Sequence, residues 1–182
     1  MKFMPTDLAG AMLIELEPQG DARGWFVRTF CVEEFAAAGL ETGFVQSSQS
    51  HTAEAGTLRG MHFQRAPHAE TKLVRCLRGA IWDVIVDLRP ESPSYRKWQG
   101  FRLDAASGRM LYVPEGFAHG FQTLADGTEV AYQISHRYTP AAAAGVRWDD
   151  PALGIAWPRP VVGLSARDAA WPWLDAPPAG RD

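Results

Sequence analysis

The chain has little cysteine: two in 182 residues, Cys31 and Cys76, with no CxxC pair and no histidine at zinc-finger spacing. A disulfide scaffold and a thiolate metal centre are therefore excluded, and both residues read as ordinary buried thiols. Long apolar runs are also missing. The longest mainly apolar stretch near the start, residues 8–16, is interrupted by Gly10 and Glu15, which fits neither a signal peptide nor a membrane span. A soluble cytoplasmic protein is the expectation. Positive charge is not in excess, since 18 Lys and Arg face 21 Asp and Glu for a net charge of −3. Nucleic acid and anionic membranes thus gain no global attraction, and any phosphate must be held locally. Helical periodicity is scarce as well. Only residues 32–39 read as a short helix, ended by Gly39, so a doubly wound α/β fold lacks its helices.

What the sequence does contain is short β-type segments, at 25–30, 57–63, 72–76, 80–88, 97–103, 109–113, 120–123 and 128–136, separated by Gly, Pro, Asp and Ser clusters. Their close spacing predicts an all-β antiparallel sandwich or barrel. A hydrophobic content of 46% fills one core, so residues 1–182 are expected to form one domain with its barrel at about 45–140. Residues 81–86 are apolar at almost every position except Asp83, as in a strand buried on both faces, and Asp83 and Asp87 then need partners. From residue 141 the chain turns Ala-rich, then Trp- and Pro-rich. Trp148, Trp157, Trp171 and Trp173 are expected to pack on the outside of the barrel or on a second subunit.

Titratable side chains recur inside these segments where a purely structural barrel would place Val or Ile. In Leu58-Arg59-Gly60-Met61-His62-Phe63-Gln64, strand parity places Gly60, His62 and Gln64 on one face, with Met61 and Phe63 on the other. A polar face with a glycine gap most simply lines a cavity. Lys72 shares a face with Val74 and Cys76, and an inward lysine needs an anion or a developing negative charge. Taken one at a time, each residue also has a plain structural role: Lys72 a solvated strand end, His119 a loop hydrogen-bonder, Tyr132 and Tyr138 packing groups. Together, a histidine, a lysine and a tyrosine, with a carboxylate such as Asp168 to orient the imidazole, suit proton removal beside a ketone and its return on the opposite face. A typical metal site of such barrels begins with a His-x-His pair. Here position 64 is Gln, and His62 and His119 form no compact triad with Glu70 or Glu115, so the site reads as metal-free.

The chain resembles the dTDP-4-dehydrorhamnose 3,5-epimerase family in an ordered set of segments. These include Asp21-Ala22-Arg23-Gly24-Trp25-Phe26, Leu58 to Gln64, Lys72-Leu73-Val74-Arg75, Asp83 to Arg89, Pro114 to Phe121, Tyr138-Thr139-Pro140 and Trp148-Asp149-Asp150-Pro151. The resemblance implies a cupin double-stranded β-helix (jelly-roll barrel) with short peripheral helices, a homodimer, no cofactor, and a nucleotide-diphosphate-linked 4-keto-6-deoxyhexose as substrate for deoxysugar biosynthesis. It makes His62 the base, Asp168 its orienting partner, Lys72 the enolate stabiliser and Tyr132 the acid. By the same resemblance Arg59 binds the diphosphate, and Gln46, Ser48, His119, Tyr138 and Arg167 line the substrate pocket. Arg23 and Phe26 reach in from the partner subunit. Arg28, Ser48, Glu70 and Ala143 stand where the family usually has Glu, Asn, Gln and Glu, which keeps a CDP- or GDP-linked sugar as an alternative to dTDP. Further alternatives are epimerisation at a single carbon, a 3,4-ketoisomerase, a non-catalytic sugar-nucleotide-binding barrel and a metal-dependent dioxygenase.

Overall fold

The computed structural model describes residues 1–174. Most of its strands belong to two antiparallel sheets. The first joins β1 (Lys2–Pro5), β2 (Met12–Glu15), β10 (Arg109–Val113), β7 (Lys72–Arg78), β12 (Thr128–Ile134) and β5 (Gln46–Thr52), in that spatial order. The second joins β13 (Ala143–Gly145), β6 (Leu58–Gln64), β11 (Phe117–Thr123), β8 (Ala80–Asp87) and β9 (Trp98–Asp104). A separate hairpin of β3 (Gln19–Asp21) and β4 (Gly24–Phe26) carries exposed Trp25 and Phe26. No helix among the described residues is long and apolar enough to cross a membrane.

The all-β expectation holds, while several boundaries move for physical reasons. β1, β2 and β13 join the sheets from outside residues 45–140, because edge strands this short carry little periodicity of their own. β5, with the sequence QSSQSHT, has no apolar alternation, since most of its residues are exposed and none before Thr52 is buried. The expected strand at 25–30 ends at Phe26, after which Val27 and Phe30 pack beside α1 (Val32–Ala37).

Alternation along β7 shows how the core forms. Val74 and Cys76 face inward to meet Ile81, Ile85, Leu103, Phe117 and Phe121 of the opposite sheet, whereas Leu73 faces outward to Ile14, Met110 and Phe35 of α1. Phe35 is fully buried among Phe3, Phe30 and Phe44, and burying one such ring is worth about 1.5–3 kcal/mol. The outer face of the second sheet offers Met61, Val84 and Val86, which the C-terminal segment covers with Leu153, Ile155, Trp157 and Leu174. Asp150 holds that segment, accepting from the amides of Ala152 (2.8 Å) and Leu174 (2.6 Å). The described part of the tail thus packs on its own barrel. Residues 175–182 lie outside the described residues.

Two local devices fix the strands that carry the site. The first is a register shift between β6 and β11 at His119 to Phe121, where two glycines cross. A Cβ on Gly120 would lie 2.8 Å from the Arg59 carbonyl oxygen and 2.9 Å from Gly60 Cα, so only glycine admits this approach. The shift disturbs parity in β6 only at Arg59. Met61 turns to the outer cluster and Phe63 packs against it, as alternation predicts, while Leu58, His62 and Gln64 border the cavity described below. The irregularity is that Arg59, of the opposite parity, borders it too, as does part of Phe63. Gly120→Ala should therefore lower stability by about 1–3 kcal/mol in thermal or urea unfolding; an unchanged midpoint would contradict the close contact.

The second device is Asp87, which finds the partners that its buried strand demanded. Its carboxylate accepts from the Arg89 amide (3.0 Å), the Arg89 guanidinium (2.7 Å) and the Ser94 hydroxyl (2.6 Å), as well as from Ser92. Burial by itself would raise this carboxyl's pKa, but the Arg89 and serine donors outweigh it and hold the group well below the usual range. A depressed folded-state value stabilises the fold above the unfolded value near pH 4, and this contribution is lost as pH falls towards the folded one. Asp87→Asn is expected to lower stability at neutral pH by about 1–3 kcal/mol. In urea unfolding across a pH series the gap to the parent protein should stay level above about pH 5 and narrow below about pH 4; a gap independent of pH would refute the assignment.

Candidate active site

The inner face of the barrel is apolar through most of its length and becomes polar at one end, where a cavity of about 620 Å³ opens between the sheets. On β7 the change comes between Val74 and Lys72, and on β12 between Val130 and Tyr132. His62 and His119 are paired directly across β6 and β11, so both imidazoles enter the cavity from the second sheet.

Each histidine is bonded to a carboxylate. His62 Nε2 lies 2.6 Å from Asp168 Oδ1, and the Gly60 amide donates to the other carboxylate oxygen at 3.3 Å. Asp168 belongs to α2 (Ala166–Ala169), whose N-cap Ser165 accepts from the Asp168 amide at 3.0 Å. Burial would push the Asp168 carboxyl up. The His62 bond and charge, the Gly60 amide and the Ser165 hydroxyl together hold it below the ordinary value, so it stays ionised. In the neutral tautomer that donates Nε2–H to Asp168, Nδ1 of His62 has its lone pair free, and 42% of the side chain is exposed. Trp171 packs edge-on against this imidazole at 6.2 Å and over Gly145, where a Cβ would come within 2.4 Å of the indole. His119 Nε2 lies 2.7 Å from Asp83 Oδ1, and this pair is buried. Asp83 thus finds the partner that its apolar strand required.

Lys72 and Tyr132 come from the first sheet. Lys72 Nζ donates to the His62 carbonyl at 3.2 Å and pairs with Glu70 at 3.0 Å. The Tyr132 hydroxyl is 3.2 Å from Ser50 Oγ. Burial pushes the Tyr132 phenol far up from its ordinary value, against smaller opposing effects of Ser50 and Arg59, so it remains a proton donor. A carbon acid placed between these groups would meet a lone pair from His62, a cationic donor from Lys72 and a phenolic proton from Tyr132.

Most of the residues singled out in the sequence border this cavity: Gln46, Arg59, His62, Lys72, His119, Tyr132, Tyr138, Arg167 and Asp168. Arg59 is steadied by Thr52 Oγ1 (3.0 Å) and the His51 carbonyl (3.2 Å). Arg167 lies over the Trp171 ring and within 3.5 Å of the Tyr138 hydroxyl. Ser48 is exposed on β5 outside the lining, and Ser50, two positions on, lines the cavity instead. Arg23 and Phe26 lie exposed on the β3–β4 hairpin, outside the cavity of their own chain. Arg28 likewise lies at the surface, 3.3 Å from Glu34. Of the cysteines, Cys76 is buried, which pushes its thiol up to about 11, while Cys31 is half-buried. Glu70 and Ser50 are the polar partners of Lys72 and Tyr132 among the lining residues that sequence reasoning did not place in the site. Glu70 carried the better signal, two positions before an inward lysine. Among the described residues no group of three or more His, Cys, Asp or Glu side chains is arranged to hold a metal ion.

Comparison with known proteins accords with this geometry. Residues 5–176 match the family model for dTDP-4-dehydrorhamnose 3,5-epimerase. The chain is 43% identical to the dTDP-4-dehydrorhamnose 3,5-epimerase of Sinorhizobium fredii over 175 residues, 96% of this chain and 90% of that one. It is 40% identical to a dTDP-4-dehydrorhamnose 3-epimerase of Streptomyces niveus over 169 residues, 92% of this chain and 81% of that one. Among solved structures, a dTDP-4-dehydrorhamnose 3,5-epimerase from Bacillus anthracis with TDP and pyrophosphate bound superposes with a TM-score of 0.92 at 43% identity, covering 95% of this chain and 99% of that one. With this match in sequence and in barrel, the chain belongs to the dTDP-4-dehydrorhamnose 3,5-epimerase family.

Proposed function

We propose that the protein epimerises a dTDP-linked 4-keto-6-deoxyhexose at C3, C5 or both, using its own side chains for each proton transfer. The observation that carries this reading is the meeting, in one cavity, of the His62–Asp168 pair with Lys72 and Tyr132. His62 Nδ1 removes the proton from the carbon beside the ketone, and Asp168 stabilises the imidazolium that results. The electron pair moves onto the ketone oxygen, where an N–H of Lys72 meets the developing charge. Tyr132 returns a proton to the opposite face, and the centre is inverted. His119, held by Asp83, offers its other ring nitrogen to a sugar hydroxyl. Arg59 and Arg167 supply planar cationic donors suited to the diphosphate.

The same reading assigns Arg23 and Phe26 to a partner's cavity in a homodimer. Its support is the hairpin itself, on which Trp25 is 66% exposed and Phe26 74% exposed, since aromatic side chains so displayed mark a contact surface. Free thiols and a sugar-nucleotide substrate fit a cytoplasmic setting. The bound TDP of the Bacillus anthracis relative favours thymine over cytosine or guanine. The Streptomyces niveus relative, named as a 3-epimerase, favours keeping inversion at one carbon as a second outcome.

The test is incubation with dTDP-, CDP- and GDP-linked 4-keto-6-deoxy sugars in D2O, following deuterium at C3 and C5 by NMR. Exchange with the dTDP sugar is expected, at both carbons for a 3,5-epimerase and at C3 alone for a 3-epimerase. His62→Ala should reduce exchange by about a hundredfold or more yet still bind dTDP. No exchange with any sugar, or a ketone moved from C4 to C3 in the carbon spectrum, would refute the reading.

A further inference from the structure

We propose that Glu70 is a positioning residue that aims the ammonium of Lys72 at the ketone oxygen, a role that rests on Lys72 receiving the enolate charge. Glu70 stands two residues before Lys72, and its Oε1 lies 3.0 Å from Lys72 Nζ. The two side chains are only 10% and 9% exposed, and both border the cavity.

An ammonium has three N–H donors and no acceptor. Lys72 directs one to the His62 carbonyl at 3.2 Å and one to Glu70, which leaves a single donor for a substrate. The two protein acceptors sit on different parts of the backbone, one within β6 and one ahead of β7, so together they fix the nitrogen and the direction of its third N–H. Without Glu70 the flexible four-carbon stem is tethered at its tip by the His62 carbonyl alone. The Glu70–Lys72 pair is neutral as a whole, so Glu70 contributes direction rather than positive charge. Direction is what counts in a site shielded from water, because a donor already aimed at the developing oxyanion needs no reorganisation as the charge appears.

The experiment compares Glu70→Ala, Glu70→Gln and Lys72→Met with the parent protein for kcat and KM of deuterium incorporation from D2O, with thermal unfolding to confirm that each variant folds. An amide oxygen can still accept from Lys72, so Gln keeps the aim and removes the charge. Glu70→Ala is expected to lower kcat by about tenfold or more, with KM within about threefold of the parent, and Glu70→Gln to restore kcat to within about threefold. Loss of packing alone would lower the unfolding temperature without this split between kcat and KM or the rescue by Gln. The proposal is overturned if Glu70→Ala keeps parental kcat, if its loss lies in KM, or if Gln fails as badly as Ala, which would make charge the contribution. Lys72→Met separates the two levels. Parental turnover in that variant refutes the role of Lys72 and with it that of Glu70, whereas an inactive Lys72→Met beside a fully active Glu70→Ala refutes Glu70 alone.

Discussion

The hydrogen bond between His62 and Asp168, 2.6 Å long and spanning 106 residues of sequence, is the constraint around which the rest of the molecule is arranged. Its two ends are set by different means. His62 is placed by β6, whose register against β11 depends on the crossing of Gly60 and Gly120. Asp168 is delivered by the tail, which must first cover Met61, Val84 and Val86, be held by Asp150, and start α2 at the Ser165 cap. Under the proposed proton transfer, the apolar packing of the C-terminal segment bears on catalysis, because an error in that packing would move the carboxylate away from the imidazole. Trp171 joins the two, lying over Gly145 and beside the His62 ring.

Charge in the cavity is handled by pairing. His62 meets Asp168, His119 meets Asp83 and Lys72 meets Glu70, so the buried carboxylates Asp168, Asp83 and Glu70 each have a basic partner at the polar end of the core. Tyr132 is the neutral member, kept protonated by burial. Arg59 and Arg167 border the same cavity on hydroxyl, carbonyl and ring partners and add positive charge to it. In the proposed reaction the site offers one lone pair, one aimed N–H and one phenolic proton where charge and protons move.

How much of this was legible in the sequence depended on how local its cause was. Asp83 and Asp87 announced buried partners by interrupting an apolar strand, and both have them. Lys72 was readable as inward because it shares parity with Val74 and Cys76, and the structure places it at the cavity. Parity in β6 held for His62 and Gln64 against Met61 and Phe63 and slipped only at Arg59, since a register shift is set by the partner strand and leaves no mark in the strand itself. β5 was invisible because neither of its faces is apolar, and with it went Ser50, the hydroxyl beside Tyr132. Nothing local links residue 168 to residue 62; that pairing came from resemblance to a family, and the geometry supplies its physical basis.

The central claim is that Asp168 serves proton transfer through His62 rather than the binding of substrate. The most direct measurement is Asp168→Asn, assayed in parallel for deuterium exchange into the keto sugar and for affinity towards dTDP, with folding checked by thermal unfolding. The account predicts that exchange falls by about a hundredfold or more while the Kd for dTDP stays within about threefold of the parent. Undiminished exchange, or an equal loss of exchange and of affinity, would contradict it.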